Sequence, residues 1–193
     1  DKLEMKACPT IVRSILGTLM HAARCTRPDL SYPVSRLARY VDRWSDPWAE
    51  KELKHLLAYD LGTTQKVLCF QYKGELWEDL WLEVYSDANF AAPCSEGGSG
   101  LFLVGNKGTF MPLEWKSRKQ RLTATSSAES ELMEMADAIQ ATLRIMGLLE
   151  CCRTTKIEAK GYVDNDALRL AAAGGFSTKL GHMRKQDEVN LEF

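Results

Sequence analysis

The sequence has few of the residues that build zinc sites and disulfide frameworks. Its 193 residues include six cysteines, none in a CxxC pair, and only three histidines. The adjacent Cys151 and Cys152 are poorly spaced for a disulfide or a zinc site. We therefore expect reduced cysteines, mostly buried as small hydrophobic residues, in an intracellular protein.

Long apolar runs are also missing. No window approaches the roughly 18 consecutive apolar residues of a membrane span, so we expect no membrane partner. The N-terminal residues Asp1, Lys2, Leu3 and Glu4 do not form the apolar core of a signal peptide. Because the first residue is not Met, we expect a fragment of a longer protein.

Neither sign of charge dominates the chain, whose net charge is −1. Residues 1–74 hold 12 Lys and Arg against 8 Asp and Glu, whereas 75–193 hold 13 against 18. A mildly basic front half can lie along a phosphate backbone, but an acidic half needs metal ions or a local basic patch to do so. The apolar content of 45% indicates a folded globular chain rather than disorder.

Residues 1–62 are predicted to form three short helices that support a second domain, 63–193. Apolar residues recur at helical spacing, and Pro28 and Pro47 stand where helices begin. The third helix is predicted to end near Gly62.

The second domain is predicted to be α/β. A helix that joins one strand to the next requires a parallel crossover, so hairpin strands followed by such a unit predict a mixed sheet. A Gly-Asn-Lys-Gly turn at 105–108 favours a hairpin. The predicted strands are 66–72, 80–87, 98–104, 108–115 and 156–164, and the predicted helices are 126–149, 165–173 and one from about 178.

Three acidic residues stand where an α/β fold gathers functional groups. Asp87 and Asp164 end predicted strands, and Glu131 lies in the first turn of the long helix. Any one of them alone is more often a solvated surface charge. Carboxylates brought together repel unless divalent cations neutralise them, and oxygen ligands suit Mg²⁺ or Mn²⁺.

Several segments share one family pattern, in its order and spacing. They resemble the RNase H domain of copia-type retrotransposon Pol polyproteins and the segments that follow its reverse transcriptase core. The resemblance covers nearly the whole chain. The segments are GTLM at 17–20, CTRPDL at 25–30, YSDANFA at 85–91, SGLFL at 99–103, WKSRKQ at 115–120, SSAESELM at 126–133 and YVDN at 162–165.

The resemblance implies an RNase H-like mixed sheet flanked by helices, preceded by a helical connection segment. It implies endonucleolytic hydrolysis of the RNA strand of RNA–DNA hybrids by two Mg²⁺ or Mn²⁺ ions. Asp87, Glu131 and Asp164 are the expected catalytic and metal-binding residues. The implied partners are the hybrid and an upstream reverse transcriptase domain, in a cytoplasmic virus-like particle or the nucleus.

Glu129 and Glu131 compete for the second metal position. Ser126 and Glu129 fit a capping box, in which Glu129 bonds back to the N-cap backbone. Glu131-Leu132-Met133 matches the start of the equivalent helix in RNase H proteins better. We therefore assign Glu131 to metal and Glu129 to capping.

A basic run precedes the long helix. Lys116, Arg118 and Lys119 lie either in a solvated loop or in a loop that grips the phosphates of a hybrid. Asn89 stands where many family members have Asp and still offers a carbonyl oxygen. We count all four residues as candidate nucleic-acid contacts.

One departure from the family leaves the function open. We expect the last strand of the fold and the closing helix, which bears a fourth Asp, to be missing, and Asp187 is not assigned that role. The alternative to a nuclease is a non-catalytic or domesticated remnant that binds nucleic acid or a partner protein.

Overall fold

The computed structural model describes residues 9–44, 46–91, 93–152 and 156–164. These residues belong to two compact units. The described part of the first extends to Cys69 and includes Lys116–Arg118, and the second comprises the rest of the described chain. The division predicted between 62 and 63 stays a prediction.

The first unit contains the three predicted helices. They are α1 (Pro9–Cys25), α2 (Ser31–Ala38) and α3 (Pro47–Gly62). At the start of α3, the Asp46 carboxylate accepts a hydrogen bond from the Trp48 backbone N–H at 2.9 Å, an N-cap that fixes where the helix begins. The core of this unit is formed by Val12, Leu16, Leu19, Ala23, Leu30, Val34, Leu37, Trp44, Ala49, Leu53 and Leu56.

Arg27 gives the TRPD segment at 26–29 a structural role. Its guanidinium donates to both Asp29 oxygens, and to Asp60 at 2.9 Å and Thr63 at 2.7 Å near the end of α3. Its side chain is only 12% exposed, so these charge-assisted bonds are shielded from water. The bond from Arg27 also lowers the pKa of Asp29. Arg27 thereby ties the start of α2 to the end of α3.

The second unit is a mixed four-stranded sheet with a long helix. The elements are β1 (Leu80–Asn89), β2 (Glu96–Gly105), β3 (Phe110–Lys119), α4 (Ser127–Glu150) and β4 (Ala159–Tyr162), and the sheet order is β3-β2-β1-β4. β1 pairs antiparallel with β2 and parallel with β4. The predicted mixed sheet and its parallel crossover through the long helix are therefore confirmed.

The helix α4 packs on one face of this sheet, which we call the helix face. Alternate residues of β1 are buried there, as the two-residue period of a half-covered strand requires. Gly97 of β2 also lies on the helix face, where an added Cβ would collide with the Glu134 carboxylate. The core comprises Leu80, Leu82, Val84, Leu101, Leu103, Ala138 and Ile157.

The hairpin between β2 and β3 turns at the predicted residues. Gly108 has a φ of +94°, a left-handed conformation that glycine adopts without strain. The buried Glu75 carboxylate accepts the Lys107 backbone N–H of this turn. Burial raises the pKa of Glu75, but the donors from Thr109 and Lys107 outweigh it and leave the pKa lowered.

Two strand predictions were wrong. Residues 66–72 do not form a strand, since their only pairing in the described sheet is a single bridge between Gln71 and Phe110. β3 continues to Lys119, so the basic run Lys116, Arg118 and Lys119 lies on a strand and not in a loop. Pairing with a neighbouring strand decides both outcomes, and local residue pattern does not encode it.

The expected burial of the cysteines was also wrong. Cys25, Cys69, Cys151 and Cys152 are exposed and Cys94 is half-buried, although all five are free as expected. The predicted helices 165–173 and from 178 lie outside the described residues. None of the described helices is both long and apolar enough to cross a membrane.

Candidate functional site

Asp87 and Asp164 lie on adjacent parallel strands. The last registered pair of β1 and β4 is Tyr85 with Tyr162, and each aspartate stands two residues further along its strand direction. Both aspartates are exposed, and both line one open pocket of about 900 Å³. The parallel crossover therefore brings two of the three predicted carboxylates to one site.

The pocket lies on the sheet face opposite α4, which we call the pocket face. Aromatic side chains from all four strands line it, and no composition signal predicted this row. Tyr85 stacks on Tyr162 with ring centroids 4.8 Å apart, and Phe102 stacks on Phe110 at 5.0 Å. Tyr85 also meets Phe102 edge to face at 5.8 Å. The sequence signal that could have predicted this row is the alternation along β1 of Trp81, Glu83, Tyr85 and Asp87, which places these side chains on one face.

Glu83 fixes this aromatic row. Its carboxylate accepts from Tyr85 Oη at 2.8 Å, Trp81 Nε1 at 3.1 Å and Tyr162 Oη at 3.3 Å. The hydrogen bond to Glu83, with burial and the negative charge of Glu83, raises the pKa of Tyr85 to about 12. Burial and Glu83 also raise the pKa of Tyr162. Both tyrosines are therefore neutral donors at neutral pH, and Glu83 is a carboxylate that the sequence interpretation missed.

Glu131 lies on the first turns of α4 and is half-buried. Its Oε1 accepts from Ser127 Oγ at 3.0 Å, and its Oε2 is buried with no hydrogen-bond partner in the described part of the chain. Glu131 is not among the described residues that line the pocket of Asp87 and Asp164.

The predicted three-carboxylate cluster is not assembled in this arrangement. Within residues 9–44, 46–91, 93–152 and 156–164, no three His, Cys, Asp or Glu side chains are grouped closely enough to hold a metal ion. The shared metal site of Asp87, Glu131 and Asp164 therefore stays a prediction.

Glu129 performs a capping role at the start of α4. Ser126 Oγ accepts the Glu129 backbone N–H at 3.2 Å, which is one half of a capping box. The Glu129 carboxylate bonds one residue further back than expected, accepting the Thr125 backbone N–H at 2.6 Å and the Thr125 hydroxyl. Its carboxylate is thus used for folding the helix start, which leaves Glu131 as the metal candidate on this turn.

The candidate nucleic-acid-binding residues lie at or near the ends of two strands. Asn89, the last residue of β1, is exposed. On β3, Lys119 is exposed, whereas Lys116 and Arg118 are half-buried and each makes further polar contacts.

The fold and the placement of Asp87 and Asp164 define a class of protein. A mixed sheet in the order β3-β2-β1-β4, with a helix crossing from the hairpin to a parallel β4, is an RNase H-like α/β architecture. Acidic residues at the ends of β1 and β4 are where our sequence analysis placed the functional groups of this class.

Curated relatives give the family. The Pol polyprotein from transposon RE2 of Arabidopsis thaliana is 36% identical over 142 residues, which cover 73% of this chain and 9% of the relative. The Pol polyprotein from transposon TNT 1-94 of Nicotiana tabacum is 31% identical over 197 residues, covering 94% of this chain and 14% of the relative. The chain belongs to the copia-type retrotransposon Pol polyprotein family and is related to its RNase H region.

The chain spans about a tenth of the length of these two Pol polyproteins. A third relative is similar over most of its own length: secreted RxLR effector protein 161 of Plasmopara viticola is 34% identical over 142 residues, covering 70% of this chain and 90% of the relative. Among solved structures, RNase H1 of Halobacterium salinarum aligns with a TM-score of 0.36 and 15% identity, over 54% of this chain and 69% of that one. No family model matches the chain.

Proposed function

We propose that this chain is a metal-dependent ribonuclease H that hydrolyses the RNA strand of RNA–DNA hybrids. The observation that carries the proposal is the placement of Asp87 and Asp164 side by side at one pocket, on adjacent parallel strands. Neither aspartate side chain makes a hydrogen bond or ion pair within the described residues, and both are exposed, so both carboxylates are available to a ligand. Membership in the Pol family supports the same reaction.

The three predicted carboxylates have the donor chemistry that magnesium or manganese requires. Asp87, Glu131 and Asp164 offer only carboxylate oxygens, the ligands that Mg²⁺ and Mn²⁺ prefer. The buried Oε2 of Glu131 has no partner in the described chain, and a cation ligand would satisfy it. Asp87, Glu131 and Asp164 would hold such ions, which would supply activation of a water nucleophile and stabilisation of the leaving oxygen. The chain's own contribution is to hold negative charge at fixed positions on the strand ends and the helix start.

Binding of the hybrid is assigned to groups outside the carboxylates. We place Lys116, Arg118 and Lys119 at backbone phosphates and the Asn89 amide at a sugar or phosphate oxygen. A hybrid is recognised by its shape and its 2′-hydroxyls rather than by base sequence. The proposed partner within the same polyprotein is a reverse transcriptase domain upstream, and the proposed setting is intracellular.

The decisive experiment replaces one carboxylate. With Mg²⁺ or Mn²⁺, the wild-type chain should cleave labelled RNA in a hybrid, and Asp87→Asn should lose this cleavage. An amide can ligate through one oxygen but carries no charge to hold a cation. Asp79→Asn, which changes an exposed aspartate at the start of the same strand, should cleave like wild type. Hybrid binding by Asp87→Asn should be kept.

Two results would contradict the proposal. Cleavage that survives Asp87→Asn would mean that the site is misassigned or that another nuclease is present. The catalytic role would be overturned if the wild-type chain cleaves with neither ion, both alone and when extended by the last strand and closing helix expected of the family.

A second candidate function is a non-catalytic remnant that binds nucleic acid or a partner protein. The observation in its favour is the relative named as a secreted RxLR effector protein, 90% of which aligns with this chain. Hybrid binding that is independent of Mg²⁺ and unaffected by Asp87→Asn, without any cleavage, distinguishes this function from the nuclease.

A further inference from the structure

Gln120 joins two segments that carry the proposed metal ligands. It directly follows β3 and is only 6% exposed. Its backbone N–H donates to the carbonyl of Ser95 at 2.8 Å. Ser95 is fully buried, and its hydroxyl accepts the backbone N–H of Ala91 at 3.3 Å, just beyond the end of β1. One end of Gln120 is thus attached to the loop that leaves the strand of Asp87.

The other end of Gln120 reaches the helix that carries Glu131. The side-chain Nε2 donates to the backbone carbonyl of Ser130 at 2.6 Å, in a buried contact. Because a carbonyl only accepts, the nitrogen of the amide must face it. Ser130 is fully buried and immediately precedes Glu131 in the chain. This bond therefore ties the residue next to Glu131 to the end of β3.

From this geometry we infer that Gln120 is a positioning residue for the carboxylate site, which rests on the function proposed above. Its backbone is attached to the loop after Asp87, and its buried side chain is attached to the turn before Glu131. Metal ligands must be held within a fraction of an ångström, and loss of a residue that orients them typically costs about 10- to 100-fold in metal affinity or activity. The remaining amide oxygen, Oε1, is buried without a partner in the described residues, so no second bond holds the amide in place.

The sequence contains this residue at the end of WKSRKQ, whose charged members suggest phosphate contacts. Gln120 has no charge and is buried, so it does not share that role. Its function is to connect the loop after β1 with the first turn of α4.

The test compares Gln120→Met with a matched control. Methionine fills a similar volume but cannot donate to Ser130. The control is Thr142→Val, because the Thr142 hydroxyl is also buried and donates to an α4 carbonyl, that of Ala138 at 2.8 Å, further along the same helix. Both variants lose one buried hydrogen bond to α4, so a purely structural effect should be alike in the two.

The readouts are Mn²⁺ affinity by calorimetry, the melting temperature, and cleavage of a hybrid. We expect Gln120→Met to weaken Mn²⁺ binding about tenfold, with kcat reduced more than KM is changed, and Thr142→Val to match wild type in both. If Gln120→Met does not fold, Gln120→Asn, which keeps the amide but is too short to reach Ser130, is measured in the same way.

The outcomes separate the two proposals. The positioning role is overturned if wild type binds Mn²⁺ and cleaves while a folded Gln120 variant keeps the wild-type Mn²⁺ affinity. The proposed nuclease function then stands. Equal losses of Mn²⁺ affinity in Gln120→Met and Thr142→Val also overturn it, because they reflect general destabilisation. Wild type without Mn²⁺ binding or cleavage overturns the proposed function itself.

Discussion

The two faces of the sheet use alternate residues of the same strands for opposite purposes. On β1, Leu80, Leu82 and Val84 lie on the helix face and are at most 4% exposed. On the pocket face of the same strand, Tyr85 is 44% exposed and Asp87 is exposed as well. The side chains that stabilise the fold are therefore concentrated on the face packed against α4. The pocket face is exposed to solvent, so it carries carboxylates and polar aromatic groups at a lower desolvation cost than the packed face.

The largest effect should come from the helix face. Leu82→Ala removes a side chain that is 0% exposed, and we expect the free energy of unfolding to fall by about 3 kcal/mol, from lost burial and the cavity left behind. Chemical denaturation monitored by circular dichroism measures this change.

Tyr85→Phe is the control on the pocket face. It removes only the hydroxyl that donates to Glu83, and its cost should not exceed about 1.5 kcal/mol. If the tyrosine variant were destabilised as much as Leu82→Ala, the division of roles between the faces would be wrong.

Alanine substitution of two glycines of β2 should give a smaller difference in unfolding free energy. Gly97→Ala places a methyl group against the fully buried Glu134 on the helix face, and we expect a loss of about 1–3 kcal/mol in unfolding free energy. Gly100→Ala meets the Phe102 ring at 2.9 Å on the pocket face, where this ring is only half-buried, and we expect a smaller loss. Chemical denaturation of both variants under the same conditions measures the two losses in unfolding free energy. Equal losses would show that the pocket face is packed as rigidly as the helix face.

The smallest effect concerns the protonation of Tyr85. Replacing Glu83 by Gln removes the charged acceptor, so the pKa of Tyr85 should fall from about 12 towards its ordinary 10.0. Tyrosinate absorbance as a function of pH measures this transition, and Tyr85→Phe identifies it by its loss.

The free energy of unfolding of the wild-type chain should depend on pH through the Tyr85 hydroxyl. Between the unfolded pKa near 10 and the folded pKa of about 12, the folded chain keeps a proton that the unfolded chain loses, so stability decreases as the pH rises through this range. An unchanged Tyr85 titration in Glu83→Gln would mean that Glu83 does not control the aromatic row.

The elements with strong local signals were predictable from the sequence. The helix predicted at 126–149 is α4, Ser127–Glu150, and the strand predicted at 80–87 lies within β1. In both, an N-cap serine or a regular alternation of buried side chains determines the local structure. Asp87 and Asp164 were expected at one sheet edge because both end strands and the helix between strands requires a parallel crossover, and β1 and β4 do run parallel.

The remaining features depend on distant pairing. Residues 66–72 alternate like a strand but pair only at Gln71, and the basic run became part of β3. Glu83 acquires its role from Tyr162, which is 79 positions away in the sequence. The position of Glu131 relative to the two aspartates depends on how α4 packs on the sheet, and no local residue pattern encodes that packing.

The parallel pairing of β4 with β1 also determines the order of assembly during synthesis. The hairpin strands and α4 leave the ribosome before residues 159–162, and contacts that close such a long loop form late because of their entropic cost. Until β4 arrives, the unpaired edge of β1 exposes backbone donors and acceptors to any other extended chain. Premature termination upstream of Ala159 would therefore yield an aggregation-prone product that carries Asp87 and Glu131 but lacks Asp164.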